Sequence, residues 1–537
     1  MIFLAGMVEF GLRIKGMKRN FVHGLMLAAV CGLLAGILRA ESATAATVNS
    51  FALSPELSQK LEAYAQEGMK KWHSPGLAIG MVKDDQLVWQ GYFGYSDIKE
   101  KKPVSESTVF RIGSISKTFT AIAIMQLWEQ GKFQLSDPVS KYTPFPLFRN
   151  QSGCCPDPTL LNIFTHTSGG GEVKRLQDAP KFFRDFYDDT NLQPRKSFAE
   201  LFRNGIQTRI CPGSKWAYCN YCVGSLGMVV EQITGQSFHN YTDEHLFHPL
   251  GMSSSSFYET DQTQANLAIG YRWQERKKAF QPDRVSFLDT DVVAAGNVYS
   301  TVPDMSRYMS ALLNGGKLAG FSLLKKQILD LMWTAQYQTD PRLPAMGIIF
   351  ILENQFGHRL VWHNGGMPGF TSSMILAPDD HLGVVVLNNA MSAAPDNLAL
   401  GILKILFHYQ PAEKKISSPE ESLKKLTGNY VSSQPDFLTD LRFLMGSLGV
   451  LKVRMKKGGL VIAFPGKPLA LEQVDPEDPY FFRIVDKENE SENFVVFKPG
   501  EDGKARSILF GLNEFVRPEH QRREICPAET GEEKKWR

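Results

Sequence analysis

Little in this chain carries net charge. Its 59 Lys and Arg exceed its 56 Asp and Glu by only three across 537 residues, and residues 1–45 hold five of those cations and two of those acids. The remainder is formally neutral, with no basic block. That balance gives no reason to expect nucleic acid or an anionic membrane surface as a partner. Cysteine is scarce as well, at seven residues. Neither Cys219-x-x-Cys222 nor His245-x-x-His248 has a second pair at zinc-finger spacing. Both read as structural, and no metal or cofactor is expected. An apolar run of about 18 residues occurs once, from Phe21 to Leu38, so no membrane-spanning role is expected beyond the N-terminus.

What is present is a globular composition, 43% hydrophobic and 21% charged, in a chain long enough for two to four domains. Arg13, Lys15, Lys18 and Arg19 precede the apolar run, and Ala43-Thr44-Ala45 follows it. Charged, apolar and small residues in that order mark a secretory signal peptide over residues 1–45, with Met17 as an alternative start. The competing reading is an uncleaved anchor; His23 and three glycines inside the run favour cleavage. A periplasmic or secreted location follows. Export would remove Cys31 and permit disulfides among Cys154, Cys155, Cys211, Cys219, Cys222 and Cys526, with the pairing left open.

Ser54-Pro55 opens a helix with Leu57, Leu61, Tyr64 and Ala65 on one face. Gly76–Lys83 and Leu87–Tyr95, joined by Asp84-Asp85-Gln86, read as a hairpin. From about Asp137 to Asp291 the pattern is helical with Pro-bearing loops. Strands return at Ile348–Glu353, Arg359–His363, Thr371–Leu376 and Leu382–Leu387, before an apolar helix from Asp396 to His408. Strands at both ends of a helical middle imply a discontinuous α/β sandwich with an antiparallel sheet and an all-α insertion, over residues 50–410. Residues 411–420 are polar and bracketed by proline, as in a linker with few contacts across it. Residues 421–537 alternate in strand fashion, notably around Lys456-Lys457-Gly458-Gly459, and predict a small antiparallel β domain or barrel that folds by itself.

The chemistry centres on Gly113-Ser114-Ile115-Ser116-Lys117. The residues from Ser114 to Gln130 lack Pro and Gly and are apolar at helical spacing, so Ser114 reads as the opening turn of a buried helix. Lys117, three residues on, shares its face and reaches its hydroxyl. Ser-x-x-Lys occurs four times here, at Ser96, Ser114, Ser322 and Ser422, and the others read as polar pairs on solvated surfaces. Context separates Ser114. Thr165-His166-Thr167-Ser168-Gly169, Tyr218-Cys219-Asn220, His248-Pro249-Leu250-Gly251-Met252, Ala295-Gly296-Asn297-Val298-Tyr299-Ser300-Thr301 and His363-Asn364-Gly365-Gly366 follow in order. With them the chain from about Leu53 to Tyr409 resembles the serine β-lactamase and penicillin-binding-protein superfamily, near class C β-lactamases and their esterase and D-amino-acid-peptidase relatives.

That resemblance implies roles. Ser114 would be the nucleophile of an acyl-enzyme, Lys117 its proton acceptor and Tyr218 the second proton carrier. Asn220 would orient Lys117 and a substrate carbonyl. The N–H groups of Ser114 and Gly366 would form the oxyanion hole, with Gly365 and His363 on the strand lining the site. The plainer reading of Tyr218 and Asn220 is a buried hydrogen-bonded pair, and of His166 a turn-former that carries no proton. His363 stands where many relatives carry lysine; a histidine is cationic only in part near neutral pH, which leans toward esters or amides without an obligatory carboxylate. Cys219 and Cys222 imply a thiol or disulfide beside the pocket. The stretch from Asn150 to Phe202 reads as a lid or, around Phe182–Tyr187, as a packing helix. Relatives sometimes carry a lipocalin-like C-terminal domain. Three functions compete: an exported hydrolase acting on a small-molecule or peptidoglycan-like substrate, a penicillin-binding D,D-peptidase or acylated sensor with little turnover, and a non-catalytic scaffold. The complete Ser114, Lys117, Tyr218 and Asn220 set disfavours the last. Oligomeric state is open.

Overall fold

The computed structural model describes residues 53–150, 155–170, 197–208, 210–283, 293–410, 416, 418–433, 450–463 and 468–520. The leader, the aromatic run 182–187 and most of 411–420 lie outside them. Among the described residues no helix is long and apolar enough to cross a membrane.

Helix α1 (Pro55–Lys71) starts on Ser54, whose side chain accepts the Leu57 N–H, and buries Leu61 and Ala65. Strands β1 (Gly76–Lys83) and β2 (Gln86–Asp97) follow. Asp84 and Asp85 between them both have positive φ, 49° and 65°, the mirror-image turn that matches the twist of a hairpin. The other sheet strands are β3 (Lys102–Pro103), β4 (Tyr337–Gln338), β5 (Ala345–Met346), β6 (Ile351–Gln355), β7 (His358–Met367), β8 (Phe370–Ala377) and β9 (Leu382–Asn388). Their spatial order is β4-β5-β6-β7-β8-β9-β1-β2-β3. The early hairpin therefore closes on the last strand, with Ile79 opposite Val386 and Met81 opposite Val384.

Burial on both faces explains why β1 up to Val82 and β9 up to Leu387 are apolar without alternation. Leu77, Ile79 and Met81 pack with Leu61 and Ala65 of α1 and with Leu398 and Ile402 of helix α6 (Ala394–Leu406). Ala78 and Val82 face the opposite core with Val302, Met305 and Met309 of helix α5 (Val302–Leu313) and with helix α2 (Ser116–Glu129). The strand expected from Ile348 begins at Ile351, because Ile349 has φ 70° and the Ile348 and Ile349 N–H groups go to Met332 and Phe164 carbonyls.

The middle of the chain is not all-α. Phe148–Asn150 pairs in parallel with Ile206–Thr208, and Tyr271–Gln274 with Ala279–Pro282 as a hairpin. Segments of three or four residues are too short to display a period of two, so their strand character was hidden. Among the described residues Cys155 is bonded to Cys211, and Cys219 to Cys222.

Eight C-terminal strands close into a barrel: β10 (Gly428–Ser432), β11 (Val450–Lys456), β12 (Gly459–Ala463), β13 (Leu469–Asp475), β14 (Asp478–Val485), β15 (Asn493–Pro499), β16 (Ala505–Phe510) and β17 (Asn513–Val516). Among the described residues its core is formed by Tyr430, Leu451, Val453, Ile462, Phe482, Val495, Phe497, Ile508 and their neighbours. The expectation of few contacts across the linker is corrected. The loop before β15 clamps the sheet: Gln355 exchanges hydrogen bonds with the Glu492 backbone, Tyr409 donates to Glu492, and Lys404 pairs with Glu490. Arg342 pairs with Asp478. Leu512 packs with Trp216 and Met346, and Leu509 and Val496 pack with Leu343. A polar linker says nothing about these contacts, which join surfaces distant in sequence.

Candidate active site

Ser114 lies in a single turn of 3-10 helix, Gly113–Ile115, that feeds α2. Gly113 adopts φ 52°, a conformation open chiefly to glycine, and a side chain there would meet the Gly366 nitrogen at 2.7 Å. Gly365 is needed for the same contact from the other side: a Cβ on it would lie 2.0 Å from the Ile112 carbonyl oxygen, which already accepts the Ser372 hydroxyl at 2.7 Å. Gly366 is different. It is exposed, and among the described residues a Cβ there would find nothing nearer than a Thr371 methyl at 4.0 Å. Gly365 thus serves close packing, while the Gly366 backbone borders open space beside Ser114's turn.

One turn into the helix, Lys117 is wholly buried. Its Nζ lies 2.8 Å from Ser114 Oγ, 2.6 Å from Asn220 Oδ1 and 2.7 Å from the Ala295 carbonyl. Ala295 belongs to helix α4 (Val293–Gly296), which is held to α2 by Thr120 donating to the Ala294 carbonyl at 2.5 Å and by the Val298 N–H donating to Ser116 at 2.9 Å. Arg111 reaches Asn297 Oδ1 at 2.5 Å, and Asn297 donates to the Phe257 carbonyl at 2.9 Å. The phrase from Ala295 to Thr301 therefore positions a carbonyl on Lys117 and caps α5 through Thr301. Nothing in the side-chain chemistry of Ala295 marks that role, since the acceptor is backbone.

Asn220 opens helix α3 (Asn220–Gly224), with Cys219 as its cap. Tyr218, just before, brings its ring to 4.9 Å from Lys117 Nζ. The ring is stacked on His166 at 4.2 Å and flanked by Trp216 at 6.1 Å. His166 does form a turn, with φ 54°, and it is buried. It also accepts the Cys219 N–H on Nδ1 at 3.2 Å and the Ala217 N–H on its carbonyl at 2.7 Å, a packing role the sequence reading had not attached to it. An acceptor Nδ1 places the proton of neutral His166 on Nε2. Burial, then the charge of Lys117, then His363 hold its pKa well below the ordinary value.

His363 is 2% exposed. Its Nδ1 lies 2.6 Å from the Asn364 carbonyl and so carries the proton, leaving Nε2 as a buried lone pair with no partner among the described residues. Desolvation, followed by the charge of Lys117, drives its pKa down to about 3. The partial cation expected at this position is therefore absent near neutral pH. Spacing along the chain gave no sign of this, because the desolvating neighbours come from other segments. On the far face of β7, Asn364 donates to Asp396 Oδ2 at 2.9 Å.

The structure thus brings Ser114, Lys117 and Asn220 into one hydrogen-bonded set, with Tyr218 against it and Gly365, Gly366 and His363 on the adjoining strand. The barrel comes close too, since Leu512 shares a cluster with Trp216, Met346 and Tyr218.

The model of the beta-lactamase family matches residues 61–407. Protein flp of Staphylococcus aureus is 26% identical over 340 residues, 63% of this chain and 64% of that protein. The putative penicillin-binding protein PbpX of Bacillus subtilis is 30% identical over 260 residues, 48% of this chain and 58% of that one. This chain accordingly spans less than two thirds of the length of these relatives. The octameric penicillin-binding protein homologue from Pyrococcus abyssi superposes with a TM-score of 0.57 at 24% identity, covering 86% of this chain and 99% of that one, a likeness of fold.

Proposed function

The chain belongs to the beta-lactamase family, and from that premise we propose that it is an exported serine hydrolase that cleaves an ester, amide or β-lactam bond through an acyl-enzyme on Ser114. The observation that carries this reading is the set of acceptors around Lys117. Asn220 Oδ1 and the Ala295 carbonyl can only accept, so they hold Lys117 Nζ against Ser114 Oγ in either charge state; once the ammonium has given up a proton, the amine keeps its two N–H groups on them and turns its lone pair to the Ser114 hydroxyl. The Ser114 proton then passes to Lys117 as Oγ attacks the substrate carbonyl. The oxyanion faces the Ser114 and Gly366 N–H groups, and Tyr218 hands a proton to the leaving group. Water reverses these steps: it attacks the acyl carbon, its proton returns through the same pair, and Ser114 leaves as the alcohol.

A neutral His363 offers no cation to a substrate carboxylate, which favours uncharged acyl groups such as short esters. The second reading, a penicillin-binding D,D-peptidase or sensor with little turnover, draws on the name of the PbpX relative. A panel of p-nitrophenyl esters, a cephalosporin and D-amino-acid amides separates the two by turnover. Ser114→Ala is expected to lose all covalent labelling by a fluorophosphonate while keeping its fold; stoichiometric labelling of that variant would remove Ser114 from the mechanism.

A further inference from the structure

We propose that the Cys219–Cys222 disulfide is a positioning device for Tyr218 and Asn220, and that a dithiol which opens it slows turnover while leaving Ser114 able to be acylated. The inference rests on the roles given above to Tyr218 and Asn220.

Cys219 stands between those two residues, and its bond to Cys222 ties their connecting peptide to the first turn of α3. The backbone is extended at Cys219, with φ −138° and ψ 106°, and helical immediately after. Such a junction sets the divergence of the neighbouring side chains. The Cys219 sulfur also accepts the Cys222 N–H at 3.1 Å. A second hold comes from the segment Thr165–Gly170. His166 takes the Cys219 N–H and stacks on Tyr218, and Ser168 donates to the Cys222 sulfur at 3.3 Å. Tyr218 and Asn220 are therefore fixed by a covalent tie on one side and an imidazole on the other. Both sulfurs are fully buried, so the tie is part of the wall behind the site.

Reduction changes that wall. A disulfide holds its sulfurs about 2 Å apart, whereas two thiols need a non-bonded contact of roughly 3.5–4 Å, so one of the cysteines must move by more than an ångström. A misplacement of about 1 Å in a catalytic group costs on the order of 100-fold in rate. The step balances: a thiolate of the reagent attacks one sulfur, the Cys219–Cys222 bond breaks, and the mixed disulfide resolves as the reagent closes its own ring. The reagent's two electrons and two protons leave Cys219 and Cys222 as thiols.

The test uses the full chain with p-nitrophenyl acetate, before and after dithiothreitol, with reduced cysteines mapped by alkylation and mass spectrometry. Cys219→Ser/Cys222→Ser is run beside it. That variant keeps the Cys155–Cys211 bridge and leaves a competent cap at 219, so it isolates the tie itself. We expect kcat to fall ten- to 100-fold in the reduced wild type and in the variant. KM should change by less than three-fold, and fluorophosphonate should still label Ser114 to one equivalent. Reoxidation should restore the wild type alone. A kcat within two-fold of the oxidised enzyme, either once Cys219 and Cys222 are mapped as thiols or, where the buried bond resists the reagent, in the folded variant, would overturn the proposal. So would a loss on reduction that the variant does not share. An oxidised wild type that neither hydrolyses the ester nor takes the label instead removes the acyl-enzyme reading, and this inference with it.

Discussion

At the scale of single residues the strongest expectation concerns Lys117. Lys117→Met keeps most of the volume and removes the proton acceptor, so ester turnover should fall on the order of 10²- to 10⁴-fold with a native circular dichroism spectrum. Retention of more than a tenth of the wild-type kcat would show that another group takes the Ser114 proton. His363 makes a second expectation, about stability. Its pKa in the folded protein is about 3, well below the 6.5 of an exposed imidazole, so between those values the unfolded chain binds the extra proton. Stability from this group is complete above pH 6.5 and is lost as pH falls, at up to about 1.4 kcal/mol per pH unit. His166 is shifted in the same direction and adds to the slope. Urea midpoints measured from pH 7.5 to 4.5 should therefore drop less for His363→Asn than for the wild type; equal slopes would mean that His363 is not held neutral. That Ser114, Lys117, Tyr218 and Asn220 lie together was legible in the sequence because their spacings recur as side-chain motifs. Ala295 was not, since a carbonyl leaves no trace in residue type, and the neutrality of His363 was not, since burial depends on neighbours far along the chain.

At the scale of elements, the turn of Gly113 is pressed against β7, and two adjacent glycines there should answer differently to the same substitution. Gly365→Ala puts a methyl 2.0 Å from the Ile112 carbonyl oxygen, where backbone has to move. Gly366→Ala meets, among the described residues, only the Thr371 methyl at an ordinary contact distance of 4.0 Å. The first should lower Tm by several degrees and turnover at least ten-fold, and the second should leave Tm within about a degree or two. Comparable melting temperatures for the two variants would contradict the close approach of strand and turn. The hairpins at Asp84-Asp85 and Lys457-Gly458 were readable from local chemistry, because positive φ at the turn favours Asp and Gly, although Lys457 also adopts it. The short pairs in the middle of the chain were not. Their ladders are set by tertiary packing, and three residues of alternation carry no periodic signal.

At the scale of the whole molecule, the barrel is fastened to the sheet by the 486–492 loop and by Leu512, so the two are expected to unfold as one unit. Leu512→Asp, which buries a carboxylate between Trp216 and Met346, should split the melting curve into two steps and reduce kcat through the displaced Trp216–Tyr218 segment. A single unshifted transition would show that this contact contributes nothing. Removing residues 412–537 exposes Leu343 and Met346, so the truncated protein should melt lower than the full chain and lose solubility, contrary to what the linker's composition suggested. The sheet order has a further bearing, on synthesis. Strand β1 is completed only by β9, and the turn of Ser114 is seated only by β7. A ribosome must therefore pass residue 388 before residues 76–117 can reach their final packing. During that interval the nascent chain holds a serine and a lysine but no cleft, so it carries no reactive centre until the sheet closes.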